Sequence, residues 1–204
     1  MGKRTLIIAN WKMNLTVGEA SLYVHKLNRE LTNHRNVEVV LAPTMLCLQP
    51  LSLQIDHKKF GLAAQNLYWR DEGPFTGEVS AHQLRGLVKY AIIGHSERRH
   101  VFGEHDKDVR AKVQAAMRNH ITPVLCVGET AAERAAGETH GVLHDQITGG
   151  LANLTAEEVA EMVIAYEPVW AISSGKNFAD HAVATPGEIS KTITFIRRQI
   201  EHLF

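Results

Sequence analysis

Short, almost wholly apolar runs alternate with longer amphipathic segments from one end of this chain to the other. Leu6-Ile7-Ile8-Ala9 opens the series, Ile92-Ile93-Gly94 stands in the middle, and Met162-Val163-Ile164-Ala165-Tyr166 comes near its close. Runs of this kind lack the apolar/polar alternation of a half-solvated strand and fit parallel strands covered on both faces. The rhythm is βαβα, which argues for an α/β fold with helices packed on a parallel sheet. It predicts strands near 5–11, 37–42, 60–64, 90–94, 121–127 and 161–167. Helices are predicted near 17–33, 44–55, 80–88, 106–119 and 130–153, with one more after the last strand. That last helix has a readable start, because Thr185-Pro186-Gly187-Glu188 is a capping box with proline at the first helical position. Ile189, Ile193, Ile196, Ile200 and Leu203 then recur at steps of four and three and mark a packing stripe.

Composition narrows the function classes. The chain has 204 residues, 45% of them hydrophobic, enough for one substantial core, so a single domain over 1–204 is expected. Lys+Arg and Asp+Glu both number 22, so no net field favours nucleic acid or an anionic membrane surface, and a small metabolite is the easier partner. The apolar run after Lys3 and Arg4 is too short for a secretory core, and no run approaches a membrane span of roughly 18 residues. Cys47 and Cys126 lie inside separate apolar segments, which reads as two buried reduced thiols and a cytoplasmic protein. The 12 histidines show no ligand spacing, so neither a metal nor a cofactor is expected. Two long connections, 65–79 and 168–180, carry glycine and small residues and suit a partner-contacting arm and a lid.

Three of the strand ends carry chemistry. The first leads into Asn10-Trp11-Lys12, the fourth into His95-Ser96-Glu97, and the sixth into Glu167-Pro168. The carboxyl edge of a parallel sheet is where α/β folds gather their active groups. An ammonium, an imidazole and a carboxylate there can act as electrostatic clamp, electrophile and base. His95 begins a turn or short helix whose N-terminus disfavours imidazolium, so it is expected to be a neutral hydrogen-bond donor. Glu167 lies between an aromatic residue and a proline, a setting in which a carboxylate is expected to gain basicity by losing water.

Asn10-Trp11-Lys12-Met13-Asn14, Gly94-His95-Ser96-Glu97-Arg98-Arg99, Cys126-Val127-Gly128-Glu129-Thr130 and Ala165-Tyr166-Glu167-Pro168-Val169-Trp170-Ala171-Ile172 resemble, in order and spacing, the signature segments of the triosephosphate isomerases. The resemblance implies a (β/α)₈ barrel and the interconversion of dihydroxyacetone phosphate and glyceraldehyde 3-phosphate, in glycolysis and gluconeogenesis, without metal or cofactor. It implies Glu167 as the base, neutral His95 as the group polarising the carbonyl, and Lys12, oriented by Asn10, as the clamp on phosphate and enediolate. Glu97 would handle protons or support His95, and Ser96 would hold Glu167 when the site is empty. The 65–78 loop, with Thr76 near its tip, would insert into a second subunit and make a homodimer.

Two departures from the family pattern bear on these expectations. The chain stops after the helix that begins at Thr185, so about six β/α units are expected, an incomplete barrel with open sheet edges and without the later glycine segments that grip phosphate. Weakened phosphate binding and impaired activity would follow, with oligomers beyond the dimer forming at the open edges. Where the family reads Ala-Ile-Gly-Thr-Gly, this chain reads Ala171-Ile172-Ser173-Ser174-Gly175, so Ser173 would offer the phosphate-facing N–H. The alternative reading is a catalytically silent, self-associating partial barrel that keeps the motifs by ancestry.

Overall fold

A computed structural model describes residues 5–32, 35–172 and 183–204. The chain divides into two compact units, Met1–Ile92 with Ala115–Pro123, and Ile93–Gln114 with Val124–Phe204.

The first unit is built on strands β1 (Thr5–Asn10), β2 (Val37–Ala42), β3 (Phe60–Ala64) and most of β4 (Tyr90–Ile93). Each pairs in parallel with the next, with Ile7 opposite Val39, Leu41 opposite Leu62 and Ala63 opposite Tyr90. Helices α1 (Val17–Glu30), α2 (Met45–Ser52) and α3 (Ala81–Leu84) fill the connections. Leu48, Leu51, Leu62, Leu67 and Leu84 are withdrawn from solvent, and each such side chain contributes roughly 1.5–3 kcal/mol by burial.

The second unit begins at the end of β4 and contains α4 (Ser96–His100) and most of α5 (Asp106–Arg118) and of β5 (Thr122–Val127). Then follow α6 (Ala131–Ala135), α7 (Thr139–Leu151), α8 (Ala156–Ala160), β6 (Val163–Tyr166) and α9 (Pro186–Leu203). β5 and β6 pair in parallel, with Cys126 opposite Ala165. Leu125, Leu143, Ile147 and Leu151 form the core between β5 and α7.

All six predicted strands are present within a residue or two of the predicted bounds, and their pairings are parallel. Burial is less uniform than the apolar runs suggest. β4 is wholly buried, but Ile7 of β1 is 50% exposed and β6 is only half-buried. The helices are more broken than predicted. Residues 130–153 split into α6 and α7, because Gly137 takes a left-handed φ of 76° and ends the first helix. The predicted helix over 80–88 is one turn long, and α8 was not predicted. The capping box read at Thr185 is present, and the same device starts α1 at Thr16, α3 at Ser80, α6 at Thr130 and α8 at Thr155.

Candidate active site

Lys12 belongs to the first unit, two residues beyond β1. Its backbone takes a φ of 53°, uncommon for a residue with a long side chain. Such a conformation persists where the surroundings over-determine it. Here the Asn10 carboxamide oxygen accepts the Lys12 N–H at 2.9 Å, and Gln65 Nε2 donates both to the Lys12 carbonyl at 2.9 Å and to the Ala42 carbonyl at 2.8 Å. Asn14 Nδ2 donates to the Trp11 carbonyl at 2.7 Å, and the Trp11 ring meets Tyr23 edge-on at 5.6 Å. A polar cradle therefore sets the direction in which Lys12 leaves the strand end.

His95, Ser96, Glu97 and Glu167 lie in the second unit. Gly94 turns the chain out of β4 with a φ of 70°, and a Cβ there would press on Val109 at 3.2 Å. His95 caps α4, its Nδ1 accepting the Glu97 backbone N–H at 3.2 Å. A ring nitrogen that accepts carries no proton, so the hydrogen-bond geometry assigns the proton to Nε2. That Nε2–H faces Glu167 Oε1 at 2.8 Å, while the Ser96 N–H donates to Glu167 Oε2 at 3.0 Å. His95 and Ser96 are buried, whereas the Glu97 side chain is half-exposed with Oε2 3.6 Å from His95 Nδ1, too long for a hydrogen bond.

These contacts correct the expected basicity of Glu167. Burial pushes its carboxyl up, but the hydrogen bond and charge of His95 and the two groups of Ser96 together pull it further down. The net position is below the ordinary carboxylate range. Lost water raises basicity only where donors do not replace it, and here they do.

The backbone around Glu167 is held from several sides. Its N–H donates to the Val127 carbonyl at 2.8 Å, and the Val169 N–H donates to the Glu129 carbonyl at 3.1 Å. Glu129 is only 2% exposed, and its carboxylate accepts the Tyr166 hydroxyl at 3.1 Å and Trp170 Nε1–H at 2.8 Å. Burial, then the Glu129 charge, pushes the Tyr166 phenol up to about 12. Gln146 brackets Gly128, accepting its N–H at 2.8 Å and donating to its carbonyl at 3.2 Å. Arg99 reaches the Gly94 carbonyl at 2.8 Å, the Cys126 carbonyl at 3.4 Å and Asp106 at 2.6 Å. Burial also drives the Cys126 thiol far up, which keeps it protonated and unreactive.

Gln65, Arg99, Glu129 and Gln146 were not singled out from the sequence. Glu129 and Arg99 stand inside the quoted motifs, but nothing in a string of letters says that their side chains turn inward. Thr76 lies in the exposed stretch 70–78 of the first unit, and Ser173 lies outside the described residues. Among the described residues, no group of three or more His, Cys, Asp or Glu side chains could hold a metal ion, and no helix is long and apolar enough to cross a membrane.

The family model for triosephosphate isomerase matches residues 5–204. The chain belongs to the triosephosphate isomerase family. The triosephosphate isomerase of Endomicrobium trichonymphae is 42% identical over 197 residues, covering 96% of this chain and 76% of that protein. That of Clostridium perfringens (strain SM101 / Type A) is 41% identical over 203 residues, 98% of this chain and 79% of that protein. A third, from Pelobacter propionicus, is 44% identical over 176 residues, 86% of this chain and 70% of that protein. Membership accounts for the parallel strands and the intervening helices, which fit an incomplete (β/α)₈ barrel of the isomerase type.

Proposed function

We propose that this chain interconverts dihydroxyacetone phosphate and glyceraldehyde 3-phosphate, with Glu167 as the proton-transferring base. The observation that carries the reading is the 2.8 Å contact between Glu167 Oε1 and the proton-bearing Nε2 of His95 in a member of this family. As found, the two groups satisfy each other. A substrate carbonyl taking the His95 Nε2–H would remove the largest donor that holds the Glu167 carboxyl down, leaving burial to push it up. Entry of substrate would thus switch on the base, which takes a proton from the carbon beside the carbonyl and returns it to the neighbouring carbon. His95, neutral in its Nε2–H form, polarises the carbonyl and passes protons between the enediolate oxygens. Lys12, with Asn10 setting its backbone, supplies positive charge toward phosphate and enediolate, and donors of this kind are typically worth about 10²–10³ in rate. Glu97 supports His95 through its N–H, Ser96 holds Glu167 between turnovers, and Ser173 offers an N–H to the phosphate.

We further propose a homodimer through the 65–78 arm. Tyr68 stacks on Trp69 at 4.1 Å and meets Phe75 at 4.7 Å, while Arg118 and Asn119 anchor Asp71 at the arm's root at 3.1 Å. The arm is built as a shaped projection, and Met13, 94% exposed, offers apolar area in the same unit. Two buried, unpaired thiols, Cys47 and Cys126, support a cytoplasmic setting.

The test is proton exchange. Dihydroxyacetone phosphate incubated with the purified chain in D₂O is expected to gain deuterium at the carbon bearing the free hydroxyl while glyceraldehyde 3-phosphate forms. Product and exchange no faster than in buffer would overturn the assignment.

A further inference from the structure

Arg134 sits in α6, away from every group given a chemical role above, yet it joins two elements that matter to Glu167. Its guanidinium lies 3.5 Å from the centre of the Trp170 ring, close enough for flat cation–π stacking. Its Nη2 donates to Glu188 Oε1 at 2.6 Å. Glu188 is itself fixed, because its other oxygen accepts the Thr185 N–H at 2.8 Å and the Thr185 hydroxyl at 2.7 Å in the capping box of α9. Arg134 is therefore held at one end by the start of α9 and lies with its flat group across an indole.

That indole is three residues beyond the carboxylate. Trp170 belongs to the 3₁₀ turn Val169–Ala171, which follows Glu167 and Pro168 directly. Its Nε1–H points into the buried Glu129 carboxylate, which also accepts from Tyr166 on the other side of Glu167. The ring edge is thus fixed by Glu129 and the ring face by Arg134. An indole constrained at edge and face cannot tilt without moving the turn, and the turn cannot move without moving Glu167. An exposed ion pair and an exposed cation–π contact each add little to stability. Both spent on one ring beside the base make a geometric device instead.

We propose that Arg134 is a positioning residue for Glu167, clamping Trp170 so that the turn after the carboxylate keeps one orientation. The inference rests on the isomerase reading of Glu167, and its test separates the two. The whole chain is labelled with 5-fluorotryptophan, and the ¹⁹F resonance of Trp170 is assigned with Trp170→Phe. In Arg134→Gln the Trp170 resonance is expected to move while those of Trp11 and Trp69 stay, with the melting temperature nearly unchanged. In the same variant kcat is expected to fall about ten- to a hundredfold with KM within about twofold, because displacement of a reacting group costs the chemical step. Arg134→Lys keeps a charge for Glu188 but has no flat face, so it is expected to restore less than half of the lost kcat on a logarithmic scale.

An unmoved Trp170 resonance in Arg134→Gln, or full rescue by Arg134→Lys, would overturn the clamp. A loss of melting temperature with kcat unchanged would reduce Arg134 to a structural residue and overturn it as well. If the unaltered chain turns over no faster than Glu167→Gln, the isomerase reading fails and the positioning role falls with it, while the resonance still reports whether Arg134 holds the indole.

Discussion

A Cβ placed on Gly128 would stand 1.8 Å from the carbonyl oxygen of Glu167. The end of β5 and the backbone of the base thus touch at a point where only hydrogen fits. Gly128→Ala must push Glu167 away or open the β5–β6 pairing. Overpacking of this kind costs roughly 1–3 kcal/mol, and the displacement acts on the atom that must lie beside His95. The expected result is a lower melting temperature and a kcat/KM down by about a hundredfold or more. An alanine variant matching the parent in both would show that the approach is not required.

Glu167 also gives a pH signature. Its folded-state value lies below 4.5, so its ionised form is favoured by folding. The stability it adds is present above the unfolded value near 4.5 and is lost as pH falls through the lower folded value. The difference in unfolding free energy between the parent and Glu167→Gln is therefore expected to be flat at neutral pH and to change only below about pH 4.5. Urea titrations across that range check it, and a difference that varied mainly between about pH 6 and 8 would point to His95 instead.

Glu188 shows the same sign on the surface. The Thr185 N–H, the Thr185 hydroxyl and then Arg134 hold its carboxyl down at about 2. Its contribution is present above the model value of 4.5 and fades as pH falls toward about 2. Thr185→Ala removes the hydroxyl and loosens the cap, so the Glu188 titration followed by carboxyl NMR is expected to rise toward 4.5. Arg134→Gln is expected to raise it by less, since Arg134 is the smaller cause.

Glu104 presents a different kind of liability. Its Oε2 takes both Arg98 Nε at 2.6 Å and Lys112 Nζ at 3.0 Å, with the Glu104 and Lys112 side chains each only 4% exposed. Among the described residues its Oε1 has no hydrogen-bond partner. Removing one member of a buried pair strands the other charge, at a cost of about 3–5 kcal/mol. Glu104→Ala is expected to lower the midpoint of thermal unfolding by roughly 10 °C for a chain of this size. The apolar pair Glu104→Leu with Lys112→Met is expected to recover most of that loss.

Much of this fold was legible as pattern, for a physical reason. A strand buried on both faces must be apolar at consecutive positions, so the runs ending at Ile93 and Tyr166 declared themselves. Helix starts are written in short polar signals, and Thr16, Thr130 and Thr155 carry the same box that was read at Thr185. Helix interruptions were harder, since a periodic stretch such as 130–153 does not reveal that Gly137 turns left-handed. The candidate site divides the same way. Lys12, His95 and Glu167 could be singled out because each ends an apolar run. Gln65, Glu129 and Arg134 could not, because their significance lies in contacts with residues 37 to 54 positions away in sequence or with a distant backbone carbonyl. The basicity of Glu167 was misjudged for a related reason, as the Ser96 N–H that offsets its burial belongs to another segment, 71 residues away.

The most direct test of the account is kcat/KM for this chain and its Glu167→Gln variant, both purified from a host without an isomerase of its own. The account expects the variant to lose several orders of magnitude while its unfolding at neutral pH stays close to the parent's. Equal rates in the two proteins would contradict it, and would mean that the carboxylate 2.8 Å from His95 does no chemistry.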